Sequence, residues 1–366
     1  MAEAPPRRRW VRAVTLVLAV VAIAVIGYRL RFYDACSESP VGPLTARVWN
    51  PDGGCTLSAA EGPRTLSAPA CAALRCEPGL VSTLARARLP WILGLFAMYL
   101  GGTAAAGARW MFIVRLAGLR LPFRTAWATF LKSLAAGLLL PAGVAGDAFR
   151  ILALTELGLS VGPAASTVLL DRIVGLLSLT SIALAFALLS GTHLAVELRV
   201  GLAVVPLVLL LSVAVLRSGP VAALVMRVGI LARVLGPVVT LLRADGWRRA
   251  LASALLASVV VSATQMLLLR GLVTAVGAEP TAESWVYVGS ALALVVAALP
   301  GLPGGIGTVD ATMVTLYGAG GVSPAVSVVV AMLYRATFYA TGFVGAALVF
   351  LSRGATRAEP PAPSAK

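Results

Sequence analysis

Eight apolar runs dominate this sequence, at 11–28, 90–114, 122–140, 162–190, 194–216, 249–275, 284–300 and 325–352. A helix rises about 1.5 Å per residue, so roughly 20 apolar residues cross the ~30 Å hydrocarbon layer of a bilayer. Inside lipid every backbone amide and carbonyl must find its partner within the protein, and continuous apolar runs of this length do so as helices. The fold class is therefore an all-α integral membrane protein. Composition agrees: 59% of the 366 residues are hydrophobic and 12% charged, against roughly 25% charged in a soluble domain. A net charge of +15 would point a soluble protein toward nucleic acid. Here the arginines lie mainly between apolar runs, where cytoplasmic flanks concentrate them, and no nucleic-acid partner is expected.

Charge also counts the crossings. If all eight runs crossed from a cytoplasmic N-terminus, the stretch 217–249, with Arg217, Arg227, Arg233, Arg243, Arg248 and Arg249 against one Asp245, would lie outside. That violates the positive-inside rule. If 122–140 and 284–300 instead enter and turn back, this stretch and the tail bearing Arg353, Arg357 and Lys366 face the cytoplasm, and Glu279 and Glu283 face outward. The expected architecture is about six full transmembrane helices plus two re-entrant broken-helix segments. Backbone that breaks at membrane depth is tolerated only against protein or water, so the two tips are expected to meet inside the bundle.

The first run follows Arg7, Arg8, Arg9 and Arg12 and lacks a small-residue cleavage site, so residues 1–30 read as a retained anchor and cytoplasmic arm. Residues 31–89 form a polar insert holding all four cysteines: Cys36, Cys55, Cys71 and Cys76. An even count in one loop predicts two disulfides, hence an extracytoplasmic compartment; sequence leaves the pairing open, and unpaired thiols are the alternative. No metal site is expected, since the spacing is not CxxC and the only histidine, His193, is distant. Residues 90–352 form the transmembrane domain and 353–366 a disordered tail.

The two re-entrant segments resemble each other. "LLLPAGVAGDAFR" carries Asp147, followed by Gly158 and Arg172; "LPGLPGGIGTVDA" carries Asp310, followed by Gly321 and Arg335. Aspartate to glycine is 11 residues in both and glycine to arginine 14 in both. With the charge-derived topology this is an inverted repeat, an arrangement that transporters use to build a midplane site from broken helices. Pro and Gly there interrupt the helix so that backbone amides and a carboxylate line a polar cavity.

Arg172 and Arg335 each lie about ten residues into a span, near the bilayer centre. Guanidinium there costs about 2.5–3.5 kcal/mol unless partnered, and its planar fork matches a phosphate. Candidate substrate-binding residues are Lys132, Asp147, Arg150, Asp171, Arg172, Gly304, Gly305, Asp310 and Arg335. The structural alternative is that Asp147 and Asp171 neutralise Arg172, and Asp310 neutralises Arg335, as ties holding the hairpins. Lys132 either contacts phosphate or snorkels to the surface. Tyr317 and Tyr334 read as aromatic packing; Arg109, Arg115, Arg120 and Arg124 read as cytoplasmic flank.

"GVAGDAFR", "LLDRIVGL", "LPGLPGGIG" with a carboxylate following, and "YR" in the last span together resemble the lysylphosphatidylglycerol synthase transmembrane region family, also called the flippase-like domain family, over residues 90–350. The resemblance implies a multi-pass protein of the bacterial cell membrane, N-terminus cytoplasmic, that moves an anionic phospholipid or polyprenyl-linked head group between leaflets. Family members usually have Gly-Gly-Asp where this chain has Ala145, Gly146 and Asp147, and Glu where it has Asp310; both keep the charge. Some carry an aminoacyl-transferase domain. After 352 only 14 residues follow, too few to fold, so that activity is expected to be absent.

A lipid flippase-like transporter needing no cofactor is the leading reading. A membrane-embedded lipid-modifying enzyme using Asp147 or Asp310 as base is a second, although no histidine, metal cluster or recognisable catalytic group accompanies either. A non-transporting envelope scaffold presenting the insert is the third.

Overall fold

A computed structural model describes residues 34–37, 45–49, 55–59, 62–67, 69–70, 74–77, 79–139, 144–189, 196–227, 229–298 and 307–355. The anchor run 11–28, Cys71, Gly304, Gly305, both hairpin tips and the last eleven residues lie outside them.

Part of the insert folds as a five-stranded antiparallel sheet: β1 (Asp34–Ser37), β2 (Thr45–Trp49), β3 (Cys55–Ala59), β4 (Gly62–Leu66) and β5 (Arg75–Glu77), in the order β4-β3-β2-β1-β5. Pro63 falls on the edge strand β4, where a missing amide costs no ladder bond. Cys36 and Cys55 are fully buried and disulfide-bonded, and the β1/β5 register sets Cys36 opposite Cys76. The buried Asp34 accepts hydrogen bonds from the Gly79 amide (2.8 Å) and from Ser82 Oγ, fastening the sheet to the first helix.

The rest is helical. α1 (Leu80–Ala85) precedes α2 (Leu89–Val114), which begins at a Pro in its first turn and ends in a 3-10 turn at Arg115–Ala117. A short helix pair follows, α3 (Phe123–Leu139) and α4 (Val144–Glu156), then α5 (Val161–Leu189) and α6 (Val196–Arg217). The arginine-rich stretch forms two short amphipathic helices, α7 (Gly219–Arg227) and α8 (Gly229–Arg243). α9 (Trp247–Ala275) leads to a second short pair, α10 (Glu283–Ala298) and α11 (Thr308–Ala319), and then to α12 (Pro324–Ala355).

Among the described residues, five segments are long and apolar enough to cross a membrane: Leu89–Ala117, Val161–Leu189, Val196–Arg217, Trp247–Ala275 and Pro324–Leu351. These are five of the six expected crossings, and the sixth, the anchor run, falls outside the described residues. α6 shows what solvent the bundle is built for. Val200, Val204, Leu207 and Leu211 form one exposed stripe while Leu202 and Pro206 are buried; in water such a stripe is a liability, in lipid it is the solvated face.

The short pairs stand where the re-entrant segments are expected, and at about 1.5 Å per residue the returning arms α4 (13 residues) and α11 (12 residues) are too short to cross. Each pair is close-packed: a Cβ at Gly146 would press on the Ser133 carbonyl at 2.6 Å, and one at Gly289 on Leu316 and Tyr317 at 2.9 and 3.0 Å. α2 packs along α9, and each hairpin's first arm rests on the other half's last helix, α3 on α12 and α10 on α5. The largest core cluster joins Leu268, Leu269 and Leu272 of α9, Val286 and Ala291 of α10, Met313 of α11 and Val330 of α12.

Candidate functional site

One offset, 163 residues, relates the halves. It carries Asp147 to Asp310, Gly158 to Gly321, the start of α5 at Val161 to the start of α12 at Pro324, and Arg172 to Arg335. Backbone detail follows the same offset. Gly158 (φ +90°) ends α4 and Gly321 (φ +82°) ends α11; the Leu159 amide donates to the Leu154 carbonyl (3.1 Å) and the Val322 amide to the Tyr317 carbonyl (3.0 Å). A left-handed residue closing a 6→1 bond reverses the chain after each returning arm.

Both aspartates lie in the first turn of the second helix of a short pair, where the helix dipole favours a carboxylate. Asp310 Oδ2 also accepts the Gly307 amide at 2.8 Å. Arg335, one helix later, donates Nη1 to Asp310 Oδ1 (2.8 Å) and Nη2 to Oδ2 (2.6 Å), a bidentate one-to-one pair with side chains 14% and 9% exposed.

In the first half the pair sits inside a larger network. Arg172 Nε and Nη2 both donate to Asp147 Oδ2, at 2.7 and 2.6 Å. Asp147 Oδ1 is occupied by Arg150 Nη2 at 2.7 Å, and Arg150 Nη1 donates to Asp171 Oδ2 at 2.8 Å. Asp171 is held from its other side by Arg109, Nε to Oδ1 at 2.6 Å and Nη2 to Oδ2 at 3.1 Å. Three arginines thus share two aspartates, an excess of one positive charge. Arg150 also lies over the rings of Trp110 and Phe130, each 5.7 Å from its guanidinium carbon.

Asp147, Arg150, Asp171 and Arg172 therefore converge in one network, and Asp310 and Arg335 form a separate pair. Asp171 does not neutralise its chain neighbour Arg172. Adjacent residues on a helix point about 100° apart, and Asp171 turns inward to α2 and α4 while Arg172 turns to Asp147. Lys132 is half-buried on α3, next to Leu131, whose backbone Gly345 of α12 touches. Gly304 and Gly305 lie outside the described residues.

Arg109 is the residue missed by sequence reasoning, which placed it with the cytoplasmic flank. Its side chain is only 12% exposed and paired inside the bundle. One signal existed in the sequence, its place within the apolar run 90–114; in the structure Gly175 on α5 makes room for it, since a Cβ there would lie 2.9 Å from Arg109 Nη1. Arg115 remains at the end of α2, over the Phe112 ring at 5.3 Å.

A family model described as the lysylphosphatidylglycerol synthase TM region matches residues 79–345. The chain belongs to that family. The match begins just after the strands of the insert, so the sheet stands outside the lysylphosphatidylglycerol synthase TM region while both hairpins and both aspartate–arginine pairs stand within it. Comparison with curated proteins gives no match.

Proposed function

We propose that this protein moves an anionic phospholipid or lipid-linked head group between the leaflets of a bacterial cell membrane, with its N-terminus in the cytoplasm. The observation that carries the reading is the repeated one: in each half, the second helix of a short pair starts with an aspartate that accepts hydrogen bonds from an arginine of the next long helix. Across α2, α3, α4, α5, α11 and α12 the intramembrane charges are Arg109, Lys132, Arg150, Arg172 and Arg335 against Asp147, Asp171 and Asp310. Cations outnumber carboxylates, and cationic surplus at membrane depth calls for an anion. Halves that exchange hairpin arms are also suited to rocking against each other about a shared site.

The test is reconstitution into liposomes of phosphatidylglycerol and phosphatidylcholine carrying a trace of head-group-labelled phosphatidylglycerol, with dithionite added outside. Label in the inner leaflet becomes reducible if the protein transports it, and Arg172→Gln is expected to slow that phase. Bleaching confined to the outer leaflet in wild-type vesicles would refute the reading for this lipid class.

A second reading, presentation of the sheet to an envelope partner, draws on one observation: the insert is folded with buried disulfide-bonded cysteines and lies outside the family-matched residues. On that reading, replacing residues 35–78 by a short linker abolishes the phenotype while Arg172→Gln does not; transport predicts the reverse.

A further inference from the structure

The halves repeat in backbone but not in charge. At the 163-residue offset, Arg150 corresponds to Met313, Asp171 to Tyr334 and Gly175 to Phe338. Met313 is fully buried, and at the position matching Gly175, whose missing Cβ leaves room for Arg109, the second half carries Phe338. The relay Arg109–Asp171–Arg150 therefore has no counterpart in the second half.

This changes what each long-helix arginine is offered. Asp310 gives both oxygens to Arg335, and the pair is closed and charge-balanced. Arg335 Nε has no acceptor among the described residues, but the atom is fully buried and out of a ligand's reach. Asp147 divides itself between Arg150 and Arg172, so Arg172 binds through a single oxygen and its Nη1 has no acceptor among the described residues. Arg172 is also the open one, 36% exposed against 14% for Arg335.

We infer that the phosphate group of the ligand is taken by the first half alone, on Arg172, whose surplus charge is created by Arg150 competing for Asp147, and that Asp310–Arg335 is the fastening of the second hairpin. This rests on the carrier reading and deepens it. Arg172 would touch the ligand; Arg150 and Arg109 act through it as positioning residues. Arg150 excludes Arg172 from Asp147 Oδ1, and Arg109 supplies Asp171 with the second cation that keeps the relay extended. The carboxylate count leaves an anion, not a cation or a neutral sugar, as the chemistry this half recognises.

Affinity of the purified full-length protein for phosphatidylglycerol in mixed micelles tests this, with phosphatidylcholine micelles as reference and inorganic phosphate as competitor. Arg172→Gln is expected to weaken phosphatidylglycerol binding at least about tenfold more than Arg335→Gln does, the scale of one charge-assisted bond. Arg172→Lys should recover part of the loss. The decisive variant is Arg150→Met, which copies the second half. It leaves two balanced pairs, Arg109–Asp171 and Arg172–Asp147, so the protein stays folded while binding falls about as far as in Arg172→Gln. Competition by inorganic phosphate in wild type but not in Arg172→Gln would identify a site for the free anion; Arg172-dependent lipid binding without competition would identify a lipid-borne phosphate only. Equal losses in Arg172→Gln and Arg335→Gln, wild-type affinity in Arg150→Met, or no phosphatidylglycerol binding by wild type each overturns the inference. If this binding pattern holds in a protein that moves no lipid, the carrier reading fails alone. If transport survives with equal losses, the one-sided site fails alone.

Discussion

Arg109 of α2 and Asp171 of α5 meet through two hydrogen bonds, from Nε at 2.6 Å and from Nη2 at 3.1 Å. Their side chains are 12% and 2% exposed, so neither has solvent to fall back on. Asp171→Asn leaves Arg109 and Arg150 buried without this shared counter-ion, a defect costing about 3–5 kcal/mol. The exposed pair Arg270–Glu283, with Glu283 49% exposed, is the contrast: Arg270→Gln should cost under about 1 kcal/mol. Thermal unfolding of the two variants in one detergent should give a much larger loss for Asp171→Asn; equal losses would mean that the network is screened by water.

Gly158 and Gly321 do the same backbone job in unequal surroundings. Alanine at either must hold a left-handed conformation, costing about 1–2 kcal/mol. At Gly158 nothing lies within 4 Å of the added methyl, whereas at Gly321 it would overlap Thr281. Gly321→Ala should therefore lower the unfolding temperature more than Gly158→Ala, and a reversed order would show that the two turns are not equivalent.

Gly345 sets how closely α12 approaches α3, because a Cβ there would overlap the Leu131 carbonyl. Backbone cannot yield as a side-chain tip can, so Gly345→Val should abolish the monodisperse peak on fluorescence-detected size exclusion. Gly101→Ala, with nothing within 4 Å, serves as control and should be neutral or gain up to about 1 kcal/mol from helix propensity. A normal Gly345→Val profile would separate the two helices.

Topology is tested with single cysteines at Asp245 and Glu279, on opposite ends of α9 (Trp247–Ala275). Cys36 and Cys55 are disulfide-bonded and should not compete for maleimide. A membrane-impermeant maleimide added to whole cells should label position 279 and spare 245 until the membrane is permeabilised. Labelling of 245 from outside would remove the re-entrant assignment and the inversion with it.

Much of the architecture was legible because the bilayer restricts what a chain can do. Run length announced the long apolar helices, and the repeated Asp, Gly and Arg spacing marked both short helix pairs before any contact was known. The insert was legible only as a cysteine-bearing loop; short strands with Pro, Gly and Ser between them carry too little periodicity to announce a sheet. Residues 217–249 read as a charged connection because arginines counted for topology mask the amphipathic pattern of α7 and α8.

Which charges belong together was not legible. Asp171 and Arg172 are neighbours in sequence and serve different partners, while Arg109 and Asp171 are 62 residues apart and serve each other. Sequence alone determined that this is a membrane protein and that an aspartate and an arginine recur 25 residues apart in each half. Tertiary structure alone decided that one pair is closed and the other shared. That distinction rests on which helix faces converge, and convergence is a property of packing between segments, not of spacing along one.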